Sequence, residues 1–248
     1  MRKNPVALIT GSSNRVGREI ALCLADKGYD IAVHYNASDD AAKETQKRIE
    51  SLGRKAICVQ ADLKSTSRIA SLYLDIHNTL GPVSCLINNA SIFYKDTLSS
   101  FSESTLSDHF AIHAIAPLFL IQSFALQLPK ETPGNVINLL DGMWGWSMSP
   151  SFLTYSLSKM TLWNITTLLA RELAPHIRIN AIAPGSTIPG IQDKEDTFEK
   201  IKQYVPLKRN SSPEEVCNAL RYLLEAPSVT GQVIELGGGS QTLKNAFF

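Results

Sequence analysis

Cysteine is scarce in this sequence, and what there is does not pair. Among 248 residues only Cys23, Cys58, Cys85 and Cys217 are present, and no two have CxxC spacing. That removes the usual spacing of a redox or zinc-binding pair. Three of them sit in apolar runs, "ALCLA", "AICVQ" and "SCLIN", where a free thiol acts as a small hydrophobe; reduced, buried cysteines are expected. An excess of one charge is missing too. The 24 Lys and Arg nearly balance the 23 Asp and Glu, for a formal net charge of +1. The positive residues are scattered, so nothing global points to nucleic acid or an anionic membrane. No stretch approaches the ~20 apolar residues of a membrane span. The start, "MRKNPVALITG", has positive and then apolar residues, but its apolar run is short for a signal peptide and meets a glycine-rich turn at once. A soluble, cytoplasmic protein is the expectation. There is no internal repeat, low-complexity segment or linker.

What the sequence has is alternation. Apolar runs at "VALIT" (6–10), "DIAVHY" (30–35), "AICVQA" (56–61), "VSCLIN" (83–88), "NVINLL" (135–140), "IRINAIA" (177–183) and "QVIEL" (232–236) are separated by longer amphipathic stretches. In "VGREIALCLADKG", Val16, Ile20 and Leu24 share one helical face and Gly28 ends it. Alternating strand and helix imply parallel strands joined by right-handed crossovers. The expected fold is α/β: one doubly wound, Rossmann-type parallel sheet of about seven strands over residues 1–248, with helices on both faces. Ligands of such sheets bind beyond the carboxyl ends of the strands. The least regular stretch, 184–197, is rich in Pro, Gly, Ser and Thr. It reads as a mobile part of a substrate loop around 184–210.

The first strand runs into "TGSSNRVG", where Gly11 and Gly17 flank a turn that opens a helix, with Ser13, Asn14, Arg15 and Val16 between them. Glycine lets backbone approach a pyrophosphate, and the helix start offers free N–H groups and a positive dipole. Arg15 stands where such loops often carry another glycine; its guanidinium suits a phosphate. NAD sites usually end the second strand in a carboxylate that holds the ribose 2′-OH. Here that end carries His34 and Tyr35, with Ser38 just beyond. A missing acid and an added arginine favour NADP over NAD; a solvated loop cation is the bland reading of Arg15. Asp39 and Asp40 read as first-turn residues of the next helix, where carboxylates suit the dipole.

"VINLLDGMWGW" (136–146) begins as an apolar run that reads as a short, buried strand, and a carboxylate, Asp141, stands at its end. A buried charge is costly unless something pairs or uses it; the bland reading is a turn cap. About a dozen residues on, "TYSLSKMTLWNITTLLAREL" has helical patterning, with Tyr155 and Lys159 spaced i, i+4 on one face. An ammonium near a phenol is expected to lower the phenol's pKa and make it a usable proton donor. His109 and His113 have the same spacing, that of a helical metal pair, but no third ligand is evident, so no metal is expected. His113 reads instead as a polar bridge between backbone and the Lys159 region.

Taken in order, "TGSSNRVG", "ADL" (61–63), "NNAS" (88–91), "YSLSK" and "NAIAPGS" (180–186) resemble the classical short-chain dehydrogenase/reductase family over essentially the whole chain. The resemblance implies NAD(P)-dependent hydride transfer. It also implies that Lys159 holds the nicotinamide ribose, that Asp62 and Leu63 lie by the adenine, and that Asn89, Ala90, Ser91, Pro184, Gly185 and Ser186 belong to the cofactor site. The departures are informative. Asp141 stands where the family usually has serine, His113 where it has asparagine, and Arg15 where it has glycine. Arginine and aspartate together, with "NNASIFYKDTL", resemble the pteridine reductase branch, including the bacterial dihydromonapterin- and dihydrofolate-reducing enzymes. That resemblance implies a pterin substrate, with Phe93 stacking it against the nicotinamide. It also implies an NADPH 2′-phosphate site at Arg15, His34 and Ser38, and a homotetramer built through paired helices. Trp144 and Trp146 would line the pterin pocket or cover a subunit interface.

A serine hydroxyl suits a ketone oxygen becoming an alkoxide. A pterin presents ring nitrogens and an aminopyrimidine edge, and Asp141 can accept N–H bonds there or pass a proton through Tyr155. Aromatic burial would raise the Asp141 pKa while Lys159 opposes it. Two other functions stay open: a carbonyl reductase, such as a 3-oxoacyl-thioester reductase, and a non-catalytic NADP-binding sensor on the same fold.

Overall fold

In a computed structural model, residues 4–142, 151–189 and 197–242 are described. Seven parallel strands form one sheet in the order β3-β2-β1-β4-β5-β6-β7. They are β1 (Val6–Ile9), β2 (Asp30–Tyr35), β3 (Ala56–Gln60), β4 (Val83–Asn88), β5 (Gly134–Leu139), β6 (Ile177–Pro184) and β7 (Val233–Leu236). Each falls on one of the seven apolar runs. Continuous apolar sequence is what a strand covered on both faces needs. The faces are filled by alternate residues: Leu8, Leu86, Val136 and Ile179 pack on one side with Leu72 and Phe124, while Ile9, Ile87 and Ile137 pack on the other with Ile20, Ile49 and Leu220.

Helices α1 (Arg15–Asp26), α2 (Asp39–Ser51), α3 (Ile69–Thr79), α4 (Glu103–Phe110), α5 (Ala116–Gln127), α6 (Leu153–Glu172), α7 (Thr197–Tyr204) and α8 (Pro213–Glu225) make the crossovers. A five-residue π turn, Ala111–Ile115, joins α4 to α5. Such turns concentrate at functional sites, and this one carries His113. The continuous helix Glu103–Gln127 has the length and hydropathy of a membrane span, yet half of that window is buried in the fold. Strand order reverses between β1 and β4, which opens a crevice at their carboxyl ends.

Candidate active site

The crevice is a cleft of about 450 Å³ floored by the loop after β1 and walled by the ends of β2, β3 and β4. Glycine is required where backbones meet. Gly11 has φ +64°, and a Cβ there would come within 3.1 Å of Ala90 Cα. A Cβ on Gly17 would lie 2.3 Å from the Gly11 carbonyl oxygen. The start of α1 therefore opens onto the cleft at Asn14, Arg15 and Val16, and no acidic side chain stands in its first turn. That is the built form of a phosphate cradle, and the residues fit a dinucleotide. Ser13, Tyr35, Ser38, Asp62, Leu63, Asn89 and Ser91 line the same cleft. Thr10, which sequence reasoning passed over, ties its two sides together. Its hydroxyl accepts from the Asn89 and Ala90 N–H groups at 2.9 and 3.0 Å. The Asn89 amide donates to the Thr10 and Gly11 carbonyls at 2.8 and 3.1 Å.

Two expected phosphate ligands make protein contacts of their own. His34 is 2% exposed; its Nδ1 accepts from Gly11 N–H at 3.0 Å and its Nε2 contacts the Ala61 carbonyl at 3.1 Å. A backbone N–H can only donate, so Nδ1 is bare and Nε2 carries the proton. With both nitrogens used, the ring pins the loop from beneath and offers a phosphate neither charge nor donor. Arg15 has φ +53°, a left-handed backbone that strains any side chain by about 1 kcal/mol. Its Nη2 donates to the Ile188 carbonyl at 3.2 Å. The guanidinium thus touches the segment after β6, while Arg15 lines the same cleft as Tyr35 and Ser38. At the β2 end, Asp39 is held by the Tyr35 hydroxyl at 2.7 Å and by Lys43 at 2.6 Å.

Burial pushes His34 down from 6.5 to about 4, partly offset by its bond to Ala61. A depressed pKa gives stability that is complete above the unfolded value and lost as pH falls through the folded one. Stability is therefore expected to drop by about 3 kcal/mol between pH 6.5 and 4 from this ring alone. Urea denaturation across that range, with His34→Asn as the flattened control, measures it.

Beyond Ser91, which lines the cleft, Asp141, Tyr155 and Lys159 converge from the β5 end and α6. The Tyr155 hydroxyl donates to Asp141 Oδ2 at 2.8 Å. Lys159 Nζ donates to the Leu139 carbonyl at 2.8 Å and lies 5.8 Å from the Tyr155 ring centroid. Burial holds Lys159 down at about 8, against the pull of Asp141. The expected lowering of the Tyr155 pKa is reversed here. Burial, and then Asp141 through its charge and hydrogen bond, push it well above 10, with a contact from Ser91 working the other way. Tyr155 is a phenol that keeps its proton, aimed at a carboxylate.

Phe93 is 54% exposed, so it is no core residue. Its ring stacks on Phe152 at 4.5 Å and meets the Tyr155 ring edge-on at 4.8 Å, leaving a flat aromatic wall beside the phenol. Lys95 lies over Phe152, 5.7 Å from its centroid. His113 Nδ1 contacts Ser158 Oγ at 2.8 Å, and Nε2 receives Ser91 Oγ and Ile92 N–H at 2.9 and 3.3 Å. It bridges the loop after β4 to α6, one residue from Lys159. Trp144, Trp146 and part of the substrate loop (190–196) lie outside the described residues. Pro184 and Gly185 meet the Asp141–Gly142 turn, where Gly142 N–H donates to the Pro184 carbonyl at 2.6 Å. No cluster among the described residues has the ligands of a metal site.

A family model described as short chain dehydrogenase matches residues 5–200. The chain is 30% identical over 241 residues to a 3-oxoacyl-[acyl-carrier-protein] reductase, FabG, of Staphylococcus epidermidis, covering 95% of this chain and 98% of that one. Among solved structures, FolM alternative dihydrofolate reductase 1 from Brucella suis, in complex with NADP, superimposes with a TM-score of 0.93. It is 36% identical, and the match covers 99% of this chain and 98% of that one. The promiscuous reductase LugOII, which catalyses keto-reduction at C1 in lugdunomycin biosynthesis, has a TM-score of 0.88 at 30% identity, over 96% of this chain and 98% of that one.

Proposed function

This chain belongs to the short-chain dehydrogenase family, and within it we propose an NADPH-dependent reductase of pterins, taking a dihydropterin or dihydrofolate to the tetrahydro form. The observation that carries the reading is the Tyr155–Asp141 hydrogen bond of 2.8 Å beside the exposed Phe93 ring. The dinucleotide, when bound, supplies the hydride. Phe93 offers a face to a flat heterocycle. Tyr155 holds a proton at its hydroxyl for a ring nitrogen, and the buried ammonium of Lys159 steadies the oxygen that gives it up. Asp141 orients that hydroxyl and accepts from N–H groups of an aminopyrimidine edge, which a serine cannot do as an anion.

NADP in the FolM neighbours supports the cofactor assignment, as does a β2 that ends in His34 and Tyr35 rather than a carboxylate. NADPH is expected to bind much more tightly than NADH. Because Arg15 faces the β6 end, Arg15→Ala should weaken both nucleotides alike, by about tenfold for one lost charge-assisted contact. Fluorescence titration of both cofactors decides. A loss confined to NADPH would return the guanidinium to the 2′-phosphate, and equal wild-type affinities would sink the assignment.

The FabG relatives favour a second reading, reduction of a 3-oxoacyl thioester; Asp141 in place of serine speaks against it. A non-catalytic NADP-binding sensor would have no need of Tyr155 and Lys159. Oxidation of NADPH with dihydrobiopterin, dihydrofolate and acetoacetyl thioester side by side tests all three. Turnover of the thioester alone would overturn the pterin assignment.

Assembly completes the proposal. Leu118 and Phe119 of α5 and Leu157, Met160 and Leu168 of α6 expose two-fifths or more of their surface. An apolar second face calls for a partner helix. A homotetramer is expected by light scattering at micromolar concentration; a monomer there would refute it. A cytoplasmic location belongs to the same proposal.

A further inference from the structure

His109 repeats, one helical turn earlier, the two-ended contact made by His113. Its Nε2 receives Tyr94 N–H at 3.3 Å and its Nδ1 contacts Thr154 Oγ1 at 2.7 Å. A backbone N–H can only donate, so in both rings Nε2 is bare and Nδ1 carries the proton. His109 therefore donates to Thr154, as His113 donates to Ser158. Thr154 and Ser158 are themselves i, i+4 on α6, and Tyr155 lies between them. The imidazoles stack at 5.7 Å and 17°. The Tyr155 ring stands edge-on to both, at 5.8 and 5.3 Å. On the loop side the bonded N–H groups belong to Ile92 and Tyr94, which bracket Phe93.

Behind His109 the chain of bonds ends in a carboxylate. Asp96 is 3% exposed and lies on the same loop as Phe93. Its Oδ1 accepts from Thr154 N–H at 2.9 Å, and its Oδ2 accepts the Thr154 hydroxyl proton. The Asp96 main chain pairs with Ser151 and Leu153, each at 3.1 Å. The N-cap of α6 is Phe152, which has no side chain able to cap. Asp96 does that work from a distant segment, satisfying a first-turn N–H and placing a negative charge at the helix start. The run His109→Thr154→Asp96 has one direction only, because a carboxylate cannot donate.

We propose that His109, with Thr154 and Asp96 behind it, is a positioning residue that fixes the Phe93 wall in register with the Tyr155 hydroxyl. Each end of the imidazole holds one partner: Nε2 the loop that carries Phe93, Nδ1 the helix that carries Tyr155. The proposal needs Tyr155 as proton donor, which the pterin and ketone readings share.

The two ends are separable by mutation. His109→Asn keeps a donor near the Nδ1 position and loses the acceptor for Tyr94; it should raise KM at least fivefold and leave kcat within twofold. His109→Gln keeps an acceptor near the Nε2 position and loses the donor to Thr154; it should lower kcat at least fivefold and leave KM within twofold. Asp96→Asn should follow His109→Gln. Kinetics use whichever of dihydropterin or 3-oxoacyl thioester the wild type reduces, so an error in substrate class shows separately from an error here. NADPH affinity checks that the variants fold. Nitrogen-15 spectra of the wild-type imidazoles should show His109 and His113 protonated at Nδ1 and His34 at Nε2. Equal changes in kcat and KM in both His109 variants, tracking the loss of melting temperature, would make His109 a packing residue and overturn the proposal. So would an Nε2-protonated His109, or kinetic constants within twofold of wild type throughout.

Discussion

Replacing Asp141 with asparagine is expected to lower kcat for a dihydropterin by about 10²–10⁴-fold, the usual worth of a general acid–base group. That corresponds to about 2.7–5.5 kcal/mol of transition-state stabilisation. The asparagine keeps the size of the side chain and an oxygen for the Tyr155 hydroxyl, which now donates to Asp141 Oδ2 at 2.8 Å. What it loses is the charge, and with it the ability to take or pass a proton. NADPH affinity should be unchanged, because the phosphate cradle is built from other residues, Gly11 to Gly17. Asp141→Ser restores the residue common in the family. It should not rescue pterin reduction, although weak reduction of a ketone is expected. Melting temperature should barely move, since a neutral group replaces a carboxylate beside apolar surroundings. Steady-state kinetics on both variants, with a thermal melt, measure all of this. Near-normal turnover together with a large drop in melting temperature would make Asp141 a structural cap.

The sheet was legible because its strands are covered on both faces. Such strands read as unbroken apolar runs, and each of the seven runs became a strand. The proximity of the proposed reactive residues was legible for a different reason. Tyr155 and Lys159 are four apart on one helix, so local periodicity puts them on one face, and Asp141, at a strand end, meets that face. Side-chain direction was not legible. Arg15 and His34 occupy cofactor-loop positions, but the positive φ of Arg15 and the burial of His34 turn one toward Ile188 and the other under Gly11. Nor was the partnership of Asp96 with Thr154, 58 residues away. Sequence spacing says nothing about contacts that close only when the loop after β4 meets the start of α6. The i, i+4 spacing of His109 and His113 was visible, but its meaning depended on Thr154 and Ser158 sharing that spacing on the facing helix. The Tyr155 pKa went the opposite way from expectation because the phenol is buried and, next, because Asp141 stands against its hydroxyl.

Gly142→Ala should lower kcat by about 10²-fold, the scale of a ~1 Å misplacement of a reacting group. Gly142 follows Asp141 directly. Its N–H donates to the Pro184 carbonyl at 2.6 Å, and its carbonyl accepts the Ser240 hydroxyl at 2.6 Å. A Cβ at this position would come 2.9 Å from Gly185 N, 2.9 Å from the Pro184 carbonyl oxygen and 3.0 Å from Gly185 Cα. All three are backbone atoms, so no side chain can swing aside. Gly185 is equally confined, since its own Cβ would sit 3.1 Å from Gly237 Cα. The ends of β5, β6 and β7 thus touch backbone to backbone, and the only relief is to move the Asp141 turn off β6. That carries the carboxylate away from Tyr155, and overpacking of this kind destabilises by about 1–3 kcal/mol. Ser240→Ala is the companion variant. It removes one hydrogen bond, worth about 1 kcal/mol, without pushing anything, so kcat should stay within a few-fold. Kinetics and melts on the two variants separate aim from chemistry, because Gly142→Ala leaves the Asp141 carboxylate intact while Asp141→Asn leaves the turn intact. Full turnover in Gly142→Ala would mean that the strand ends yield freely and that the Gly142 turn does not aim Asp141.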